Sequence, residues 1–297
     1  MKTKIIDGRK CALKIQADLS KRVATLDTPP KLAVILVGDD PASKIYVNRK
    51  MKTAEQIGIQ VELIALPATI TEKKLITCVE DLNNRPDVDG MIVQLPLPKH
   101  MDSYHVLEHI DPEKDVDGLC SRNLGKLFTG RPGLVPCTPL ACMALIKEVQ
   151  SKIDGLQAVV VGRSCLVGKP VGQLLLEEQC TVTQAHSRTR DLVDVCKTAD
   201  ILIVAVGKPK LITEKHVKKG AIVIDVGINR CADGHICGDV DFEAVQGIAG
   251  AITPVPGGVG PMTVTMLLSN IVNISVNKKS KKMLDRPENS DRIKKKG

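Results

Sequence analysis

Aromatic side chains are nearly missing from this sequence of 297 residues, which has no Trp, two Tyr and two Phe. Proteins that grip single-stranded nucleic acid stack bases on aromatic rings, so the scarcity argues against that class of partner. Long apolar runs are missing too. The stretches Leu32–Val37 and Ile201–Val206 are typical of the longest, far short of the roughly 20 residues a membrane-crossing helix needs. No membrane partner is expected. At the N-terminus, MKTKIIDGRKCALKI brings Asp7 and a further basic pair before any apolar stretch of signal-peptide length, so a cytoplasmic location is expected. Ten cysteines run from Cys11 to Cys237 without one C-x-x-C spacing. Most read as small core residues, and Cys231 and Cys237 read as loop thiols.

What charge there is sits unevenly. The net +8 falls mostly on the segment from Asn277, with nine Lys or Arg against three acids, whereas residues 1–276 hold 33 basic residues against 31 acidic. A nearly balanced body offers no basic face for nucleic acid. The low hydrophobicity and high charge of the last residues predict a disordered tail, with an acidic partner for it as the alternative.

Short β-branched runs alternate with helical patterns, the signature of parallel α/β architecture. In a first block, LAVILVG reads as a buried strand, and Asp40-Pro41 signals a helix reaching about Ile57. Strands VELIALP and GMIVQLPLP follow, separated by a helix near Glu72–Leu82. The second block opens with AVVVG from Gln157 and continues with TVTQAH, ILIVAV and AIVIDVG. A last apolar helix, VTMLLSNIVNI, has no strand after it and is free to return to the first block.

Several constellations carry chemistry. Tyr46 and Lys50 lie four residues apart on the expected helix and share one face, as two surface residues would equally do. Gln94 interrupts the apolar run MIVQLPL, where its amide needs partners. Asp115 and Asp117 occupy a loop, where acids are solvated or cap something. The turn Gly162–Pro170, GRSCLVGKP, stands between a strand and a helix N-terminus, where a dinucleotide phosphate binds, although its spacing departs from G-x-G-x-x-G and an ordinary βα turn fits as well. An NAD ribose meets an acid at the end of the second strand. Here that strand ends in His186-Ser187-Arg188, with Arg163 in the preceding turn, which favours NADP. Solvated loop residues are the alternative. His105, Glu108 and His109 form H-x-x-E-H without further ligands, so no metal site is assigned.

Taken in order, YVNRKMKTAEQIGI, VQLPLP, PEKDVDGL, PCTP, GRSCLVGKP and PVPGGVGPMT resemble the bifunctional methylenetetrahydrofolate dehydrogenase/methenyltetrahydrofolate cyclohydrolase family, over residues 1 to about 276. The resemblance implies an α/β fold of two domains with a cleft between them. Residues 1–140 would form a catalytic folate-binding domain and 141–261 a Rossmann-like NADP domain. Residues 262–276 would return as a helix to the first, and 277–297 would be a tail outside the resemblance. It further implies that Lys50 is the key catalytic residue, with Tyr46 positioning substrate, Gln94 touching the lysine and Asp117 anchoring the pterin. Gly162, Arg163, Ser164, Ser187 and Ile228 fall where the family contacts NADP. A homodimer is the implied assembly. A glutamine beside a lysine base orients it without adding the negative charge that would raise its pKa. Two other readings stand beside this one: a dehydrogenase without the hydrolytic step, and a non-catalytic polyanion binder acting through the tail.

Overall fold

A computed structural model describes residues 2–231 and 234–284. The chain opens with strand β1 (Lys4–Ile5) and helix α1 (Gly8–Ala24), followed by β2 (Lys31–Val37), α2 (Pro41–Gln56), β3 (Gln60–Leu66), α3 (Glu72–Asn84), β4 (Gly90–Val93) and α4 (Ser103–Glu108). Helices α5 (Ser121–Phe128) and α6 (Cys137–Val149) lead to β5 (Gln157–Val161), α7 (Gly168–Glu177), β6 (Thr181–Ala185), α8 (Leu192–Lys197), β7 (Ile201–Val204) and β8 (Ile222–Asp225). A hairpin of β9 (Asn229–Arg230) and β10 (Ile236–Cys237), helix α9 (Phe242–Val245), strand β11 (Ala251–Ile252) and helix α10 (Val259–Leu284) complete it.

These elements form two compact α/β units. One holds Gln16–Cys120 and the chain from Leu267, with a parallel sheet in the order β3-β2-β4. β2 is buried along nearly its whole length, as expected for a parallel strand covered on both faces, which explains why KLAVILV shows no alternation. Ile35, Leu75, Val79, Met91 and Val93 form the centre of its core. The other unit holds Met1–Ile15 and Ser121–Met266, around a six-stranded parallel sheet in the order β1-β11-β8-β7-β5-β6. Val159, Leu202, Val204, Val223 and Ile252 lie at its core.

Three sequence expectations change here. The division does not fall at residue 140. Residues 121–140 belong with the six-stranded unit, and so does the N-terminus, because β1 forms the edge of its sheet by pairing in parallel with β11: Lys4 N donates to Gly250 O (2.9 Å) and Ile6 N to Ile252 O (2.8 Å). The final helix begins at Val259 and continues past Asn277 to Leu284, where the composition predicts a disordered tail. Lys278 pairs with Asp89 (3.0 Å) and Lys279 with Asp27 (3.1 Å), which anchors that added turn. The rest of the tail, residues 285–297, lies outside the described residues. Finally, Cys231 and Cys237 are not free thiols. The β9–β10 hairpin sets their Cα atoms 6.3 Å apart and they form a disulfide.

The stretch Val259–Lys279 of α10 is long and apolar enough to cross a membrane, yet 67% of its most apolar window is buried inside the protein, as befits a core helix.

Candidate active site

In the three-stranded unit, α2 starts sharply. The Asp40 carboxylate accepts from Ser43 N (2.7 Å), and Pro41 takes the first helical position, where no N–H is needed. One turn later the helix carries Tyr46, 40% exposed, and a further turn on the half-buried Lys50. Lys50 Nζ donates to Gln94 Oε1 at 3.0 Å. Gln94 directly follows β4; its N–H donates to Ile35 O (2.9 Å) and its side-chain Nε2 to Leu95 O (2.6 Å). The second bond fixes which end of the amide faces the lysine, so the oxygen is presented to the amine. The result is a lysine side-chain nitrogen held by a neutral acceptor at the end of a buried strand.

Asp117 stands on the neighbouring loop. Met91 N donates to Lys114 O (2.8 Å), docking this loop beside β4. Asp115, 1% exposed, closes it by accepting from Gly118 N (3.0 Å) and Cys120 N (2.9 Å). The two acids of KDVDG therefore differ: Asp115 shapes the turn, and Asp117 is the half-buried acid that the turn presents. Lys114, which no sequence pattern singles out, is buried and donates to the carbonyls of Leu82, Asn83 and Arg85 at the end of α3. Burial, with the Lys278 charge adding to it, lowers its pKa from the usual lysine value. His105 pairs with Glu72 (2.8 Å) and His109 with Glu80 (3.2 Å), and no metal-binding group occurs among the described residues.

In the six-stranded unit, chain order reverses between β5 and β7, since β6 lies on one side of β5 and β7 on the other. Ligands of open α/β sheets bind beyond the carboxyl ends of the strands at such a point. Gly162 ends β5 there with φ +136°, and a Cβ on it would lie 2.3 Å from Ala205 O. A Cβ on Gly168, the first residue of α7, would lie 2.3 Å from Gly162 O. Only glycine fits either place. Ser164 Oγ accepts from Val167 N (3.1 Å) and bends the turn into the helix. Arg163 and Ser164 are exposed on it, and Ser187 and Arg188 are exposed on the turn after β6, where Thr189 N donates to His186 O (2.9 Å). Ile228 is 54% exposed just beyond β8. A backbone cradle at a helix N-terminus, two arginines and no acid at the end of β6 fit a dinucleotide with an added phosphate.

Sequence reasoning misses two buried acids here. Asp239, 0% exposed, accepts from Val206 N (2.7 Å), Gly207 N (3.0 Å), Lys208 N (2.8 Å) and Asn229 Nδ2 (2.9 Å). Asp225 accepts from Gly227 N, Asp239 N and Val240 N, each at 2.9 Å. Burial pushes the Asp225 carboxyl up to about 6 against the pull of those bonds, and the Asp239 charge adds to the rise. The one signal that points to them is an acid within two residues of a glycine and flanked by apolar residues, in IDVG and GDVD.

The class this defines is a dinucleotide-dependent α/β enzyme, with the Lys50–Gln94 pair in one unit and the nucleotide-binding sheet in the other. Two family descriptions match, the catalytic domain of tetrahydrofolate dehydrogenase/cyclohydrolase over residues 6–117 and its NAD(P)-binding domain over residues 136–279. The chain belongs to the tetrahydrofolate dehydrogenase/cyclohydrolase family. It is 54% identical over 273 residues to the bifunctional protein FolD of Geobacillus thermodenitrificans, covering 91% of this chain and 96% of that one. Among solved structures, the bifunctional FolD of Campylobacter jejuni superposes with a TM-score of 0.91 at 43% identity, over 93% of this chain and 99% of that one. The Trypanosoma brucei enzyme, solved with NADP cofactor and an inhibitor, gives 0.89 at 38% identity, over 94% and 99%.

Proposed function

We propose that this chain oxidises 5,10-methylenetetrahydrofolate to the 5,10-methenyl compound with NADP and then hydrolyses that product to 10-formyltetrahydrofolate. The observation that carries the reading is the bond between Lys50 and Gln94 within the matched catalytic domain. Bound NADP supplies the hydride acceptor for the first step. The protein orients the substrate: Asp117 accepts from the pterin N–H groups, and Tyr46 lines the face that Lys50 shares. In the second step water adds to the methenyl carbon and Lys50 takes the proton it releases; as the carbon–nitrogen bond opens, that proton passes to the ring nitrogen and the hydroxyl proton leaves to solvent, which leaves the formyl carbonyl. Gln94 aims the amine without a counter-charge. Gly162, Arg163 and Ser164 hold the cofactor's phosphates, Ser187 takes part beside them, and Ile228 offers an apolar contact.

We place the enzyme in the cytoplasm as a homodimer, with neither nucleic acid nor membrane as partner. β3 supports the dimer: it is an edge strand of its sheet, and Leu63 on it is 41% exposed. Purified protein given methylenetetrahydrofolate and NADP is expected to form NADPH and then consume the methenyl absorbance. Loss of NADPH formation and methenyl decay together defeats the reading. NADPH formation with persistent methenyl compound reduces it to a dehydrogenase.

A further inference from the structure

Two loops at the carboxyl end of the six-stranded sheet are tied together by one side chain. The loop after β7 touches the Gly162 turn, as the space beneath Gly162 shows, and the loop after β8 carries Ile228. Asp239 joins the two. Its carboxylate receives three successive main-chain N–H groups, from residues 206 to 208, and the side-chain amide of Asn229. All four donors are neutral, and the acid is fully out of solvent. Such charge-assisted bonds are about twice as strong as neutral ones, and three of them on consecutive residues fix the backbone of that loop. The packing leaves no slack: a Cβ on Gly227 would lie 2.4 Å from the carboxylate carbon. Asp225 in turn anchors the main chain of Asp239.

We propose that Asp239 is a positioning residue for the cofactor, setting the loops after β7 and β8 into the form that receives the dinucleotide without itself touching it. The inference rests on the dinucleotide reading of this sheet.

Asp239→Asn keeps the size of the side chain but turns an NH2 group toward two N–H donors. It is expected to raise the KM for NADP and the Kd for NADPH by about tenfold or more, with a much smaller fall in kcat at saturating NADP. Methenyl hydrolysis, which consumes no cofactor, is expected to fall far less than dehydrogenation at low NADP. Asn229→Ala removes one donor of four and is expected to raise the same KM by about threefold with an unaltered melting temperature. A folded Asp239→Asn enzyme with the wild-type KM overturns the proposal, as does an equal loss of both activities that tracks a lowered melting temperature. If Asp239→Asn does not fold, Asn229→Ala decides, and a wild-type KM there overturns it. A wild-type enzyme that reduces no NADP defeats the dinucleotide reading and this proposal together; an active wild type with insensitive variants removes this proposal alone.

Discussion

In the three-stranded unit, the residues assigned to chemistry are side chains on or beside regular elements, Lys50 within α2 and Gln94 at the end of β4, meeting at 3.0 Å. In the six-stranded unit, the positions assigned to the cofactor lie on exposed loops whose main chain is bent at Gly162 and, beyond β7 and β8, held by Asp239 and Asp225. Their charges differ as well. Glu62, Arg85, Lys31 and Asp87 of the three-stranded unit form a half-exposed network of ion pairs, whereas the two acids of the six-stranded unit are buried and bonded to amides. A substrate carbon that water attacks asks for a proton carrier of definite chemistry. A phosphate-bearing cofactor asks for a surface of N–H groups, which any residue can supply if the loop is held. Substitution should therefore remove chemistry in the first unit and deform binding in the second.

The severest test of this contrast is Lys50→Met, which keeps the apolar stem and removes the proton acceptor. Methenyl hydrolysis is expected to fall by about 10²- to 10⁴-fold, with hydride transfer falling less. An active Lys50→Met enzyme breaks the assignment, and an active Lys50→Arg beside a dead Lys50→Met makes the lysine a binding charge. Next comes the pH dependence of stability. Asp225 holds its proton more tightly folded, near 6, than its ordinary 3.8, so the protonated acid favours the fold, and that contribution fades as pH rises through about 6. Relative to Asp225→Asn, the unfolding free energy of the wild type should drop by about 2 kcal/mol between pH 4 and pH 7. Urea titrations across that range read it, and parallel curves would mean the acid does not titrate there.

Arg163→Ala is expected to weaken NADP by roughly 1.5 to 3 kcal/mol and NAD far less; equal losses would make the arginine structural. The smallest effect should come from the ion-pair network. Bonds from Arg85 and then Lys31 hold Glu62 down to about 2 against an ordinary 4.5, a stabilisation present above pH 4.5 and lost toward pH 2. Because the network is half exposed, Glu62→Gln should cost less than about 1 kcal/mol at neutral pH and still less in high salt. A loss well above that, insensitive to salt, would erase the difference drawn between the two units' charges.

Much of the site is legible in the sequence, for reasons visible in particular residues. Gln94 stands out by breaking an apolar run, and Tyr46 and Lys50 share a face of a helix with a clear Asp40-Pro41 start, but it is the resemblance carried by the ordered motifs, and not the spacing, that assigns them roles. Asp239 and Asp225 do not stand out, because all the partners of their carboxylates but the Asn229 side chain are main-chain N–H groups, which leave no mark of residue type. β1 is equally silent: two residues cannot show a period, and their partners stand near residue 251. The helical run past Asn277 hides behind its lysines, whose acids lie at Asp27 and Asp89. Cys231 and Cys237 lack a spacing that signals a pair, and only the hairpin register brings them together.

The path of the chain between the units bears on how the protein is made. The chain begins in the six-stranded unit, passes into the other, returns, and passes over once more within α10. On the ribosome, the lysine and its glutamine emerge before the six-stranded unit is complete, yet the helix segment that belongs with them is synthesised after it. Asn270, which donates to Val116 O at 2.9 Å, and Asn273, which accepts from Arg22 Nη2 at 2.7 Å, arrive only after the whole nucleotide-binding sheet has been translated. The half-made catalytic unit must wait through that interval with the seat of α10 uncovered. No single cut in the gene would yield two halves that each encode a complete unit.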